Sequence, residues 1–143
     1  MPPTAATVTR LRRAPGRGDD RGYSIVEAAI TLPVMVILTM LVVQYALLWH
    51  GRHVAQGAAS EGVRAGRGYL SSAAAGQARA ERYLHALAPR LLADTAVAVT
   101  RDATTVDVHV RARVLRVIPF GSYEVEESAR GPVERFVPPG AGG

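Results

Sequence analysis

Residues 28–49 read AAITLPVMVILTMLVVQYALLW, a run of 22 residues without a formal charge in which Gln44 is the most polar. As a helix this run would span about 33 Å at 1.5 Å per residue, against about 30 Å for the hydrocarbon of a bilayer. The alternative, a buried helix of a soluble domain, fits poorly, because the polar segments on either side have too little apolar surface to cover such a helix. The run therefore predicts a membrane span from Ala28 to Trp49, with Pro33 inside it and the Trp49 ring at the headgroup layer.

The charges on either side of this run predict its orientation. Five arginines precede it, against two aspartates, whereas Arg52 follows it and the next arginine is Arg64. Because basic residues are retained on the cytoplasmic side, we expect a cytoplasmic amino terminus and an extracytoplasmic segment at residues 51–143. An ordinary secretory signal fits poorly, since its apolar region has about 7–15 residues and ends in small residues, whereas this longer run ends in WHGR.

The residues just before the run carry a more specific pattern. Residues 21–27 read RGYSIVE, so an arginine-rich leader is followed by a glycine, four residues and a glutamate that opens an apolar helix. This pattern resembles the processing site of type IV pilin-like precursors, which implies that a prepilin peptidase cuts between Gly22 and Tyr23. Glu27 is then the fifth residue of the mature chain. Glycine suits the site because it lets the backbone extend and the protease approach closely.

Glu27 also has a purely local interpretation. Ser24 and Glu27 have the spacing of a capping box, in which Ser24 caps the helix and Glu27 reaches back to the backbone amide of the cap. This interpretation requires neither a protease nor an assembly. The two interpretations are compatible, because a processed helix must still begin at some residue.

Beyond the membrane the spacing of apolar residues predicts two helical segments. Residues 51–69 carry an apolar face at spacings of three and four, which predicts that the membrane helix continues outward. Ser71 and Ser72 can cap a second helix that runs to about Ala88 and ends before Pro89. The predicted apolar faces are Val54, Ala58, Gly62, Ala65 and Tyr69 on the first helix, and Gly76, Ala80, Leu84 and Leu87 on the second.

The period of the pattern then changes to two. Alternating residues predict strands around 97–99 and over 106–114, with a turn at Asp102 and Ala103, and a third extended segment at 123–127. The predicted fold class is α+β: a long N-terminal membrane-spanning helix continuing into a second helix, then a small antiparallel β-hairpin or three-stranded sheet. The predicted organisation is a basic cytoplasmic leader (1–22), a transmembrane helix (23–50), a helical extracytoplasmic region (51–92), a small antiparallel sheet (93–130) and a flexible C-terminal tail (131–143).

Together these features resemble the TadE-like family, the minor pseudopilins of tight-adherence (Flp-type) pilus systems. The resemblance is most specific at Gly22, Glu27, Pro33 and residues 55–67, and it extends through residues 129–136. It implies a single-pass protein of the cell membrane whose partners are the membrane, a prepilin peptidase, a companion pseudopilin and other pilus assembly proteins. An alternative is an unprocessed single-pass anchor that holds a small extracytoplasmic protein-interaction domain. The mature amino terminus distinguishes them, being Tyr23 in the first case and residue 1 or 2 in the second.

The composition argues against other classes of protein. The 143 residues include no cysteine, which excludes a disulfide scaffold, a thiolate metal site and a cysteine nucleophile. The 17 basic residues, all arginine, exceed the 12 acidic ones by five and are scattered, which argues against nucleic-acid binding. His50 and His53 lie three residues apart, but no nearby carboxylate completes a metal site. We therefore expect no enzymatic activity, no metal, no other cofactor and no small-molecule substrate.

Charged residues near the end of the chain allow two interpretations. They comprise three arginines, Arg111, Arg113 and Arg116, and three glutamates, Glu124, Glu126 and Glu127. The glutamates are most simply a solvated strand edge, which discourages edge-to-edge aggregation. The arginines can pair with these glutamates across the sheet, or they can bind another subunit.

Overall fold

The computed structural model of the chain describes the backbone of residues 20–134 and the side chains of residues 25–134. Its elements are α1 (Asp20–Gly66), α2 (Ala73–Leu87), β1 (Leu92–Arg101), β2 (Thr105–Val114) and β3 (Glu124–Pro132). The strands form an antiparallel sheet in the order β1-β2-β3. The predicted α+β class is confirmed, and so is the order of a long apolar helix, a second helix and three strands.

The described residues up to Ile37 and those from Leu38 onward form two compact units. The first unit consists of helix α1 alone, and every side chain that is described in it is exposed, including Ile25 and Leu32, which are 70% and 65% exposed. The helix runs through Pro33 without interruption. Within residues 25–134, α1 is long and apolar enough to cross a membrane, because its most apolar 18-residue window has a mean hydropathy of 2.4 and no buried residue.

The second unit packs the last turns of α1 and the whole of α2 against one face of the sheet. The fully buried side chains of Val106, Val108 and Val110 form the centre of this core. Small residues on α1 allow its backbone to approach closely. A Cβ atom built on Gly62 would lie 3.1 Å from Cγ1 of Val108 and 3.2 Å from the carbonyl oxygen of Gly76. The predicted apolar face of α1 is therefore buried from Val54 to Gly62, but Tyr69 lies beyond the helix and is exposed.

Helix α2 begins where the sequence predicts. Ser72 is its N-cap, with an extended backbone, and its hydroxyl accepts a hydrogen bond from the Ala75 amide at 3.2 Å. Gly76, Ala80 and Leu84 are buried at intervals of four, as predicted. Leu87 is 53% exposed instead, and Ala88 takes the buried position at the end of the helix. The reason is that the helix stops at Leu87, so the chain has already turned toward the sheet.

The strands are longer than their alternation predicts. Strand β1 begins at Leu92, five residues before Val97, and its pairing with β2 is irregular between Ala93 and Ala96. Strand β3 continues past Glu127 to Pro132, which the sequence analysis had placed in a flexible tail. The tail from residue 135 onward lies outside the described residues. Between β1 and β2 the Asp102 carboxylate accepts hydrogen bonds from the amides of Thr104 and Thr105 at 2.7 and 2.6 Å, which confirms the predicted turn.

Candidate membrane and assembly site

The predicted processing and assembly residues lie in the first turns of α1. Gly22, Tyr23 and Ser24 belong to its helical backbone, and their side chains lie outside the described ones. Glu27 follows on the same helix and its side chain is exposed. Because Ser24 lies inside a helix that already includes Asp20, it is not the N-cap of the full-length chain. The capping box thus remains a prediction only for a chain that begins at Tyr23.

The apolar surface of α1 changes character at Gln44. Residues 25–39 and 41–43 are exposed and Met40 is half-buried, whereas Gln44 is only 2% exposed. Its Oε1 accepts a hydrogen bond from the Val117 amide at 2.8 Å, and its Nε2 donates to the carbonyl oxygen of Leu115 at 3.3 Å. Gln44, the most polar residue of the apolar run, therefore attaches the segment after β2 to α1. The polarity of Gln44 is visible in the sequence, but nothing in the sequence indicates its hydrogen-bond partners.

The aromatic residues that follow Gln44 remain accessible. Tyr45 is 67% exposed and Trp49 is 56% exposed. The Trp49 ring lies 4.8 Å from the ring of His53, and His53 Nδ1 is 3.0 Å from the carbonyl oxygen of Trp49. No group of three or more metal-ligating side chains occurs among residues 25–134. The His53 ring is thus engaged with its own helix.

Ion pairs connect the elements of the second unit. Arg52 Nε on α1 lies 3.1 Å from a carboxylate oxygen of Glu127 on β3. Glu61 on α1 is contacted by Arg79 of α2 at 2.9 Å and by Arg64 at 3.2 Å. Glu127 therefore faces the helices, opposite to Glu124 and Glu126, because neighbouring residues of a strand point to opposite faces. The three glutamates do not share one solvated edge, so that prediction is wrong for Glu127.

The outer face of the sheet carries three further charge pairs. Arg111 contacts Glu126 at 2.9 Å, Arg113 contacts Asp94 at 2.7 Å, and Arg130 pairs with Asp107. The hydrogen bond and the charge of Glu126 raise the pKa of the Arg111 guanidinium. These pairs are exposed and therefore contribute little stability each. The structure therefore shows Arg111 paired with Glu126 across the sheet, which is one of the two interpretations that the sequence left open.

Among the described residues, the Asp102 carboxyl has a strongly perturbed pKa. Hydrogen bonds from the Thr104 and Thr105 amides, and then from their hydroxyls, lower the pKa of its carboxyl far below the ordinary value. All four donors come from its own turn. The perturbed carboxyl is therefore explained by the β1–β2 turn and not by a chemical site.

The segment that carries the processing pattern also matches a known family. A family model described as TadE-like protein matches residues 22–64, which confirms the resemblance stated from Gly22, Glu27 and Pro33. No curated protein and no solved structure gave a match. The matched segment lies within α1, the described helix that is long and apolar enough to cross a membrane, and this fits a single-pass membrane protein associated with the Tad pilus.

Proposed function

We propose that this TadE-like chain is a minor pseudopilin of tight-adherence pilus assembly, processed by a prepilin peptidase and acting by helix packing and subunit contact without catalysis. The observation that carries the proposal is the start of the family match. It begins at Gly22, the residue before the predicted cleavage bond, and it runs into the apolar part of α1, where Ile25 and Leu32 are exposed. A peptidase that cut after Gly22 would leave a chain that enters the membrane almost from its first residue.

Cleavage at this bond requires a local change of backbone. The Gly22–Tyr23 bond joins the third and fourth residues of α1, so its backbone is helical in the full-length chain. The ends of helices open at little cost in free energy, whereas their interiors do not. The position of Gly22 within the first turn supports access by a protease, and the lack of a Cβ atom lets that protease approach the backbone.

The proposed topology places the leader in the cytoplasm and the second unit outside. The support is the arginine-rich leader, since five of the 17 basic residues precede Gly22. In this topology the predicted partners meet different parts of the chain. The peptidase meets residues around Gly22, the lipid and neighbouring pilin-like helices meet the exposed face of α1, and a companion pseudopilin meets the second unit.

Amino-terminal sequencing of the chain from a membrane fraction tests the proposal, with Gly22→Leu as the variant and Gly18→Leu as its control. We expect wild type and Gly18→Leu to begin at Tyr23, and Gly22→Leu to keep its leader. All three should insert equally, because the arginines of the leader and the apolar run are unchanged. The control places the same bulky side chain on a glycine of the leader that does not border the predicted bond.

Two results would contradict the proposal. A wild-type chain in the membrane that begins at residue 1 or 2 would instead support the unprocessed anchor with an interaction domain. A Gly22→Leu chain that begins at Tyr23 would show that the glycine is not what the protease requires.

A further inference from the structure

We propose that residues 115–122, together with Arg90, form a lipid-contact surface that binds phospholipid headgroups of the leaflet nearest the second unit. Residues 115–122 lie in the loop between β2 and β3. The inference rests on the proposed membrane span of α1 and adds a second point of membrane contact to it. Its occupant is the phosphate layer of the same bilayer, with Leu115 and Phe120 at the boundary of the acyl chains.

The depth of the loop follows from Gln44. The two hydrogen bonds of the Gln44 side chain hold the backbone of Leu115 and Val117 beside α1. Gln44 lies about one and a half helical turns before Trp49, near the end of the apolar run that is predicted to span the bilayer. A Gln44 side-chain amide without hydrogen-bond partners would destabilise the folded chain so close to the lipid, and the backbone of the loop supplies those partners. The loop therefore lies beside the end of the apolar run, close to the level at which the Trp49 ring is expected to meet the headgroup layer.

The apolar side chains of the loop divide into covered and uncovered ones. Ile118 is buried at 5% exposure, whereas Leu115 is 51% exposed and Phe120 is 65% exposed. Tyr45, the residue after Gln44, is also exposed. Large apolar and aromatic side chains next to a membrane helix are stabilised in the interfacial layer. The loop thus presents two such side chains at the level of the membrane boundary.

The charges beside the loop complement phosphate. A cleft of about 480 Å³ runs along the loop, and its lining includes Arg90, Arg113 and Arg116 but no carboxylate among the described residues. Arg113 is engaged by Asp94, and Arg116 donates through one Nη to the carbonyl oxygen of Gly121 at 3.3 Å. The remaining guanidinium N–H groups of Arg90 and Arg116 are available. A guanidinium can donate two parallel hydrogen bonds to the oxygens of one phosphate group. The cleft therefore suits a phospholipid headgroup better than it suits an uncharged ligand.

Depth-dependent fluorescence quenching tests this surface in the full-length chain. Trp49 is the only tryptophan, so Trp49→Phe gives a dark background in which single tryptophans report their depth. We compare Phe120→Trp with Ala103→Trp, which lies at the opposite end of the sheet, in vesicles whose phospholipids are brominated near the glycerol end of the acyl chain. We expect quenching of Phe120→Trp to exceed that of Ala103→Trp by at least about twofold.

A third position separates this inference from the proposed span. Val36→Trp in the same background reports α1 itself, in vesicles whose phospholipids are brominated near the methyl end of the acyl chain, because residue 36 lies near the middle of the proposed span. Quenching at residue 36 without excess quenching at residue 120 would contradict the proposed lipid contact of the loop and would leave the proposed membrane span intact. The same result is expected if the loop faces another protein subunit. If residue 36 is not quenched, the span fails and the loop surface fails with it.

The arginines are tested by changing the lipid charge. We expect quenching of Phe120→Trp to increase when phosphatidylglycerol is added to phosphatidylcholine vesicles, because the anionic headgroups attract guanidinium groups. The increase should be lost in Arg90→Ala/Arg116→Ala and kept in Arg64→Ala/Arg67→Ala. The second pair removes the same formal charge near the C-terminal end of α1, at least 20 residues along the chain from Gln44. Equal increases in both double variants would overturn the role of Arg90 and Arg116.

Discussion

Glu27 is the single charged residue between Ile25 and Trp49, and its role can be tested by one substitution. A carboxylate within the bilayer costs up to about 3 kcal/mol at its centre and less near its edge, so it favours a positive partner. Cleavage after Gly22 would create an amino group on Tyr23, with a reference pKa of about 7.7–8.0. The Tyr23 amine of a neighbouring subunit then offers a charge-assisted contact that sets the offset between adjacent helices.

We therefore predict that Glu27→Gln is cleaved and inserted like wild type but does not support pilus assembly. The glutamine keeps the shape and the hydrogen-bonding ability that a capping box needs, and it removes the charge. Co-purification with pilin-like partners, beside a count of assembled pili, measures the effect, and Glu27→Ala is the companion variant. If Glu27→Gln assembles like wild type while Glu27→Ala does not, local capping explains the residue and the contact between subunits does not.

Gln44 marks the limit of what residue-level patterns can predict. Its polarity within an apolar run was visible, but its partners Leu115 and Val117 lie 71 and 73 residues away in the chain. Both partners are backbone groups, which leave no mark in the side-chain sequence. The cleft beside the loop was hidden for a similar reason, because Arg90 and the pair Arg113 and Arg116 come from two segments that only the fold brings together.

At the scale of the elements, the crossing of α1 and α2 depends on two facing glycines. A Cβ atom on Gly76 would lie 2.9 Å from the carbonyl oxygen of Gly62, which is backbone and cannot move aside alone. We predict that Gly76→Ala lowers the thermal unfolding temperature of the full-length chain in detergent. Overpacking costs about 1–3 kcal/mol, and the better helix propensity of alanine returns about 1 kcal/mol.

Gly57→Ala is the matched control for this substitution. Its added Cβ atom would meet the far end of the Tyr83 side chain, 2.8 Å from the hydroxyl oxygen, and that side chain can rotate away. We expect Gly57→Ala to unfold at the wild-type temperature or above, as followed by circular dichroism. An unfolding temperature for Gly76→Ala equal to that of Gly57→Ala would show that the two helices do not cross closely.

The strands show why some elements follow from sequence and others do not. Strand β2 was predicted over nearly its full length because its valines alternate strictly between a buried and a solvated face. Strand β3 was cut short because its inward positions after Glu127 are Ala129 and Gly131, which carry no apolar signal. A Cβ atom on Gly131 would lie 2.6 Å from Cγ1 of Val63, so the small residue is dictated by the helix packed upon it.

At the scale of the whole molecule, the second unit has a small core that includes residues of the membrane helix. Valine and alanine make up most of its buried side chains, and the chain has no cysteine that could add a disulfide. Leu47 and Leu48 pack against this core from the part of α1 that the sequence analysis assigned to the membrane. A fragment that starts at Gly51 therefore lacks part of the core of the second unit.

We predict that residues 51–137 unfold at low temperature in a broad transition, and that residues 38–137 in mild detergent unfold at a higher temperature. The longer fragment restores Leu47, Leu48 and both hydrogen bonds of Gln44, and domains under about 100 residues are only marginally stabilised by their cores. Circular dichroism in the same detergent compares the two fragments directly. The remaining deficit is what we expect a companion pseudopilin to supply, so addition of that partner should raise the transition of both fragments. A sharp, concentration-independent transition of residues 51–137 at high temperature would show that the unit needs neither the helix nor a partner.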